Sequence, residues 1–369
     1  MPHTKDLNES QKRAVVTTKG PVLVVAGPGT GKTLTIVRRI ANLIRQGIEP
    51  ENILAVTFTN RAAREMRERT EYLLGGKASE VFIGTFHLLG LRIMKETYRD
   101  SFVIYDREEQ INLLRKLTRD SHLREILKDG GTSPRLIAER ISRIKNLIEH
   151  DEDAGIKTIY EEYQAALIRN FAFDFDDLIL KPIEILSSSG ASGRYGHIFE
   201  YIMVDEYQDI NPAQYKLLTL LSQSKGNLCA IGDSDQAVYA FRGADMSNFL
   251  TFEKDFKDAK VITLSENYRS TGVILDASTH LIKNNLKRIE KELRPTREKG
   301  IPVAVISVPD EKAEGVIIVR EIEERIGGTS HYQLMKVAIP SNPPFPHAGG
   351  FTGAKEKGGK GDLSSENSY

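Results

Sequence analysis

One octapeptide constrains this chain more than any other stretch. Ala26-Gly27-Pro28-Gly29-Thr30-Gly31-Lys32-Thr33 closes an apolar run, Val22 to Val25, and opens a segment whose Ile36, Val37, Ile40 and Ile44 share one helical face. Gly27, Gly29 and Gly31 let the backbone turn tightly enough for its N–H groups to surround an anion. Lys32 adds a charge suited to the β and γ phosphates, and Thr33 a hydroxyl suited to Mg²⁺. An ordinary glycine turn accounts for the glycines, but not for the adjoining Lys-Thr or the strand before them. The expectation is a nucleoside triphosphate held by residues 26–33.

At 369 residues and 40% hydrophobic content, the chain suggests two or three domains. Its 51 basic and 51 acidic residues cancel, so contact with nucleic acid must come from a local surface rather than a global field. The single cysteine, Cys229, lies in the apolar run Leu228 to Ile231 and reads as a buried thiol, with no zinc or iron–sulfur cluster implied. The start of the chain is polar and no apolar stretch approaches the length of a membrane span, which predicts a cytoplasmic protein without a membrane partner.

Short apolar runs with polar endings recur at Ile53 to Phe58, Val81 to Ile83, Tyr201 to Val204, Leu228 to Ile231 and Val261 to Leu264. They predict the buried parallel strands of an α/β fold. Ligands of such sheets bind beyond the carboxyl ends of the strands, where Thr59, Asn60, Thr85, Asp205, Glu206, Asp233 and Glu266 to Arg269 would gather. Between Leu88 and about Gly190 the pattern is helical. Asp106 and Glu109 form a capping box, Ser133 caps a helix with Pro134 just inside it, and Ile137, Ile141, Ile144 and Ile148 make an apolar stripe. The Ser- and Gly-rich stretch Ser187 to Gly196 reads as a flexible return to the sheet.

A second motif, Tyr201-Ile202-Met203-Val204-Asp205-Glu206-Tyr207-Gln208-Asp209, is a strand ending in paired acids. Such acids are also ordinary solvated turn residues. Beside a phosphate loop they suit hydrolysis, with Asp205 sharing Mg²⁺ with Thr33 and Glu206 orienting and deprotonating the attacking water.

Further motifs follow in a fixed order. They are Leu7-Asn8-Glu9-Ser10-Gln11, Phe58-Thr59-Asn60-Arg61-Ala62-Ala63-Arg64-Glu65-Met66, Thr85-Phe86-His87, the Asp205 to Asp209 run, Gly232 to Ala244, and Glu266-Asn267-Tyr268-Arg269-Ser270. With the phosphate loop, and from about Leu7 to about Ile339, the chain resembles the UvrD/Rep/PcrA-like superfamily 1 DNA helicases. The resemblance implies a RecA-like P-loop NTPase parallel sheet with a helical insertion subdomain and an incomplete second RecA-like lobe. Residues 1–88 and 192–272 would form the first lobe, 89–191 the insertion, 273–339 the partial second lobe and 340–369 a disordered tail. ATP and Mg²⁺ are the implied cofactors. Single-stranded DNA and single/double-strand junctions are the implied partners, with repair or replication proteins beside them.

The same resemblance implies that Gln11 hydrogen-bonds the adenine edge while Tyr268 stacks on its face. It implies that Gln236 senses the γ-phosphate and passes the signal through Tyr239, Phe241 and Arg242, and that Arg269 stabilises the transferring phosphoryl group. For DNA, Phe58, Phe86, Tyr239 and Phe241 would stack on bases, while Thr59, Asn60, Thr85 and His87 would hold phosphates. Arg61, Arg64, Arg67 and Arg69, mixed with acids, read as a solvated helix face.

Several positions depart from the family pattern. Leu34 stands where many relatives carry arginine, and Phe241 where tryptophan is common. The family's motifs V and VI are not found. Ile301 to Val308 predicts a strand, Glu311 to Ile326 an amphipathic helix and Met335 to Ile339 another strand, before composition shifts at Pro340 to a run rich in Gly, Lys, Ser and Glu. A truncated or frameshifted gene product is the expectation. The implied activity is ATP-dependent 3′–5′ translocation and unwinding. The alternative is a module that binds ATP and single strands without coupling them, or an interaction protein.

Overall fold

The six longest apolar strands have side chains to bury on both faces, and a parallel sheet between two helical layers buries them. In the computed structural model, which describes residues 6–99, 102–119, 133–148, 153–188, 199–223 and 225–326, these are β1 (Val22–Ala26), β2 (Ile53–Thr57), β3 (Phe82–Thr85), β6 (Tyr201–Val204), β7 (Leu228–Gly232) and β8 (Lys260–Leu264). They lie in the order β3-β2-β6-β7-β1-β8, and every pairing between neighbours is parallel. All carboxyl ends therefore share one edge.

Alternation along each strand divides the core. Leu23, Val25, Leu54, Val56, Ile202 and Val204 face the helices Phe86–Tyr98, Asp177–Ser187 and Pro212–Ser222. Val22, Val24, Ile53, Ala55, Met203 and Cys229 face the helices Glu9–Val16, Lys32–Arg45 and Asn60–Leu74. Cys229 is buried, as its apolar neighbours predict. Arg39 is buried too. Its guanidinium donates to the carbonyls of Ala14 and Thr17, tying the end of the first helix to the helix that follows the phosphate loop.

The expected capping box at Asp106 and Glu109 and the Ser133 cap before Pro134 are both present. Ile137 and Ile141 pack with Leu114, Ile159 and Tyr163 in a separate insertion core. The insertion also holds two short parallel strands, β4 (Val103–Tyr105) and β5 (Ala172–Asp174). Three residues are too few for a periodicity to announce them. The stretch Ser187 to Gly196 lies mostly outside the described residues.

Inside the insertion Lys145 is fully buried. Its ammonium lies 2.8 Å from Asp174 Oδ2 and 2.9 Å from Asp177 Oδ1, and the Tyr163 hydroxyl donates to the same Asp174 oxygen. Burial opposes the Lys145 charge, but Asp177 and Asp174 together outweigh it and hold its pKa above the ordinary lysine value. One residue on, Asn146 fastens the insertion to the sheet. Its amide donates to Asp176 Oδ1 at 2.7 Å and accepts from Asn211 at 2.8 Å, while its carbonyl accepts from the Ala213 N–H. Gly90 lets the helices on either side of the insertion cross closely, since a Cβ there would collide with the Leu178 carbonyl.

The chain divides into two units at Val303 and Ala304. In the first, β9 (Glu266–Asn267) pairs with β10 (Arg294–Pro295) in parallel. The strand expected over Ile301 to Val308 does not form. Ile301, Val303, Val305 and Ile306 are exposed, and a strand needs a neighbour to satisfy its N–H and C=O groups. In the second unit the helix Glu311–Ile326 forms with no buried residue. The strand expected at Met335 to Ile339 and the tail 340–369 lie outside the described residues. No helix among the described residues is long and apolar enough to cross a membrane.

Replacing Lys145 with alanine strands two buried carboxylates. The expected outcome in urea denaturation is a loss of about 3–5 kcal/mol, with the insertion opening first under hydrogen exchange. A loss below about 1 kcal/mol would show the pair to be solvated.

Candidate active site

The strand ends bring together residues far apart in sequence. After β1 the loop turns at Gly29 and Gly31, both in the left-handed region, and the Thr30 hydroxyl donates to the Gly27 carbonyl at 2.8 Å. Lys32 and Thr33 then open the helix Lys32–Arg45, so the cradle's N–H groups and the helix N-terminus are continuous. From the end of β6, two strands away, Glu206 reaches back, and Lys32 Nζ donates to its Oε2 at 2.9 Å.

Glu206 has φ 51°, a backbone conformation that residues other than glycine rarely adopt. Three contacts hold its surroundings. Its N–H donates to Asp205 Oδ1 at 3.1 Å, and its Oε2 accepts from the Gln208 amide at 2.8 Å. Gln208 then accepts, through Oε1, the N–H of Asp233 at the end of β7. The sequence reading gave Gln208 no role. The signal was there in an amide two residues after the paired acids, able to donate to one strand end and accept from the next.

Burial, then the neighbouring Glu206, pushes the buried Asp205 carboxyl up to about 6. The same two causes, in the same order, raise Asp209 to about 6. Carboxylates and a threonine hydroxyl are hard oxygen donors of the kind that suit Mg²⁺. Thr33, in the first turn of the helix after the loop, and Asp205, directly after β6, are the residues that would hold it.

A second layer docks on the cradle from downstream of β8. Asn267 is buried and donates to the Pro28 carbonyl at 2.6 Å, and the Tyr268 N–H donates to the Gly29 carbonyl at 2.9 Å. A Cβ on Gly29 would crowd Arg269, so this glycine meets both a backbone and a contact requirement. Arg269 is exposed, and its N–H donates to Asn267 Oδ1. Asn267 is another residue the sequence reading left without a role.

Gln11 and Tyr268 come to the same side of the loop. Gln11 is buried, donates to the Thr30 carbonyl at 2.9 Å and accepts the Asn8 N–H in a capping box. Asn8 in turn donates from its amide to the Tyr268 hydroxyl at 2.9 Å, and that hydroxyl donates to Glu266. The Gln11 amide thus uses its oxygen on the Asn8 N–H and its nitrogen on the Thr30 carbonyl.

The residues expected to meet DNA divide. Phe58 and Tyr239 lie 4.9 Å apart between ring centroids, and Tyr239 and Phe241 6.0 Å apart, with Phe241 74% exposed. Thr59 and Thr85 cap the helices that follow β2 and β3, and Asn60 is exposed at the start of the first. Phe86 does not join them. It is buried against Leu89 and Ile93 in the sheet core, so its ring fills space under the surface rather than standing on it. His87 packs edge-on to Phe175, and burial lowers its pKa, so near neutral pH it offers an N–H rather than a full charge. Arg242 belongs to the turn Ala240–Arg242, but its side chain lies outside the described part. Arg61, Arg64, Arg67 and Arg69 are exposed, in keeping with a solvated face.

Comparison with known proteins agrees along most of the chain. The family model described as the UvrD/REP helicase N-terminal domain matches residues 7–257, and the UvrD-like helicase C-terminal domain matches residues 262–342. The chain is similar to the ATP-dependent DNA helicase PcrA of Staphylococcus aureus, with 38% identity over 353 residues that cover 91% of this chain and 48% of the relative. It is likewise similar to the protein of that name in Staphylococcus epidermidis, 38% identical over 355 residues covering 92% and 48%. The chain spans about half the length of the curated relatives it matches.

The raised Asp205 pKa has a measurable consequence. Because the folded value of about 6 exceeds the ordinary 3.8, ionisation costs stability progressively as pH climbs from about 4 to about 6, and the full cost remains above that range. Asp205→Asn keeps the acceptor for the Glu206 N–H without the charge. In metal-free buffer it should be more stable than the parent by on the order of 1–3 kcal/mol at pH 7.5, with the difference vanishing below pH 4 in thermal melts.

Proposed function

Because the chain belongs to the UvrD/REP helicase family, we propose that it binds MgATP in the loop Ala26 to Thr33 and single-stranded DNA across Phe58, Tyr239 and Phe241, coupling hydrolysis to 3′–5′ translocation and unwinding. The observation that carries the hydrolytic part is the 2.9 Å contact between Lys32 and Glu206, which brings a phosphate-neutralising charge and a proton acceptor to one point. Lys32 draws off charge from the terminal phosphates. Glu206, held by Gln208, takes a proton from the attacking water. Arg269 stabilises charge on the transferring group, and Gln236 senses its departure. Mg²⁺, held by Thr33 and Asp205, supplies Lewis-acid neutralisation when bound.

Adenine would sit between Tyr268 and the segment around Gln11, a reading supported by the hydrogen bond from Asn8 to the Tyr268 hydroxyl. Two residues separate Gln236 from Tyr239, the first ring of the Tyr239 and Phe241 pair, which supports a short route from phosphate to strand. Stacking on aromatic faces reads little sequence, so the DNA contact is non-specific. Junctions, repair or replication proteins and a cytoplasmic setting follow from that role.

The test is steady-state phosphate release with and without single-stranded DNA. Stimulation by DNA supports coupling, whereas DNA-independent release identifies an uncoupled binding module. Lys32→Ala should lose nucleotide affinity. Glu206→Gln should bind ATP as the parent does while turnover falls by about 10²–10⁴-fold, and normal turnover would overturn the assignment. Phe241→Ala should weaken single-strand binding by about 1–3 kcal/mol in fluorescence anisotropy, leaving nucleotide affinity intact.

A further inference from the structure

Between the helix Gly272–Ile282 and β10, the chain passes over the end of β7 and puts a lysine there. Lys291 is 2% exposed and its ammonium is hydrogen-bonded to Asp233, itself fully buried, and to Asp235 Oδ2 at 2.5 Å. Arg288 Nε lies 3.2 Å from Asp235 Oδ1. The segment is fastened on both sides of these charges. The Ile289 N–H donates to the Ser234 hydroxyl at 3.1 Å, and the Leu293 side chain covers Gly27, where a Cβ would come within 2.8 Å of it.

Asp233 divides its two oxygens. Oδ1 accepts from Lys291 and from the Asp235 N–H, while Oδ2 accepts from Gln236 Nε2 at 2.5 Å. A carboxylate can only accept, so the Gln236 amide must turn its nitrogen toward Asp233 and its oxygen away. The Lys291 ammonium against Oδ1 fixes the carboxylate plane and leaves Oδ2 as the acceptor that faces Gln236. Gln236, Lys291, Pro28 and Leu293 also line one cavity of about 230 Å³, which puts this arrangement beside the phosphate loop.

We propose that Lys291 is a positioning residue for ATP hydrolysis: by pinning Asp233 through Oδ1, it keeps Oδ2 aimed at the Gln236 nitrogen and fixes which way round that amide is held. This rests on the reading of Gln236 as the group that senses the γ-phosphate. The effect travels through two hydrogen bonds, and Lys291 itself need touch no nucleotide. It also gives a purpose to a lysine that neither the strand pattern nor the phosphate loop accounts for.

The test compares Lys291→Met, Lys291→Arg and Lys291→Met combined with Asp235→Asn in the full chain. Three quantities are read: MgATP affinity by a fluorescent analogue, turnover with single-stranded DNA, and the Gln236 side-chain amide signal in nucleotide-free ¹⁵N spectra, assigned by its loss in Gln236→Glu. Lys291→Met should lower turnover by about 10- to 100-fold, leave affinity within about threefold, and move the Gln236 signal. Lys291→Arg should keep most of the turnover. The double variant, which removes one charge of each sign, should regain melting temperature without regaining turnover. An unmoved Gln236 signal, a loss confined to affinity, or turnover that recovers with stability in the double variant would each overturn the proposal. If the parent protein hydrolyses no ATP, the reading of the site as an ATPase fails, and the Gln236 signal still decides whether Lys291 orients that amide.

Discussion

The site depends on a side chain that is absent. β7 lies between the strand that carries the phosphate loop and the strand that ends in Asp205 and Glu206, so anything joining these two must pass over its end. That end is Gly232, where a Cβ would collide with the Gln208 amide oxygen and crowd the Phe249 ring. With only a hydrogen there, Gln208 reaches across to accept the Asp233 N–H and still donates to Glu206. Glu206 is thereby held against Lys32, 174 residues away in sequence. A methyl group at position 232 would push Gln208 aside and leave Glu206 with less to define its place.

Around this crossing the strand ends carry more acid than a buried edge tolerates unaided. Asp205 and Asp209 are raised by burial and by Glu206. Asp233 is matched instead by a lysine of the chain itself. The insertion's own buried cluster at Asp174 and Asp177 is likewise matched by a lysine, Lys145, and Asn146 next to it connects that cluster with the helix after Glu206.

The docking of residues 266–269 on the loop shows how backbone geometry and side-chain chemistry cooperate. Asn267 and Tyr268 bond the carbonyls of Pro28 and Gly29, groups that a tight glycine turn leaves without helical or sheet partners. The turn thus supplies N–H groups for an anion on one side and carbonyls for a second segment on the other. The loop and the position of Arg269 are joined through the same few peptides.

The strands, the phosphate loop and the caps at Asp106 and Ser133 were legible in the sequence because each arises from residues within a few positions of one another, where apolar period, backbone sterics and side-chain caps operate. So was the convergence of polar strand ends, since parallel pairing sends them all to one edge. Tertiary structure alone decided the rest. Phe86 and Phe241 look alike beside polar residues, yet one fills the core and the other stands in solvent, because burial depends on which helix passes overhead. The run at Ile301 has the composition of a strand and stays unpaired, because pairing needs a partner edge that no local pattern contains. Gln208, Asn267 and Lys291 acquired their roles in the same way: a hydrogen bond has two ends, and in each case the far end lies 25 to 239 residues along the chain.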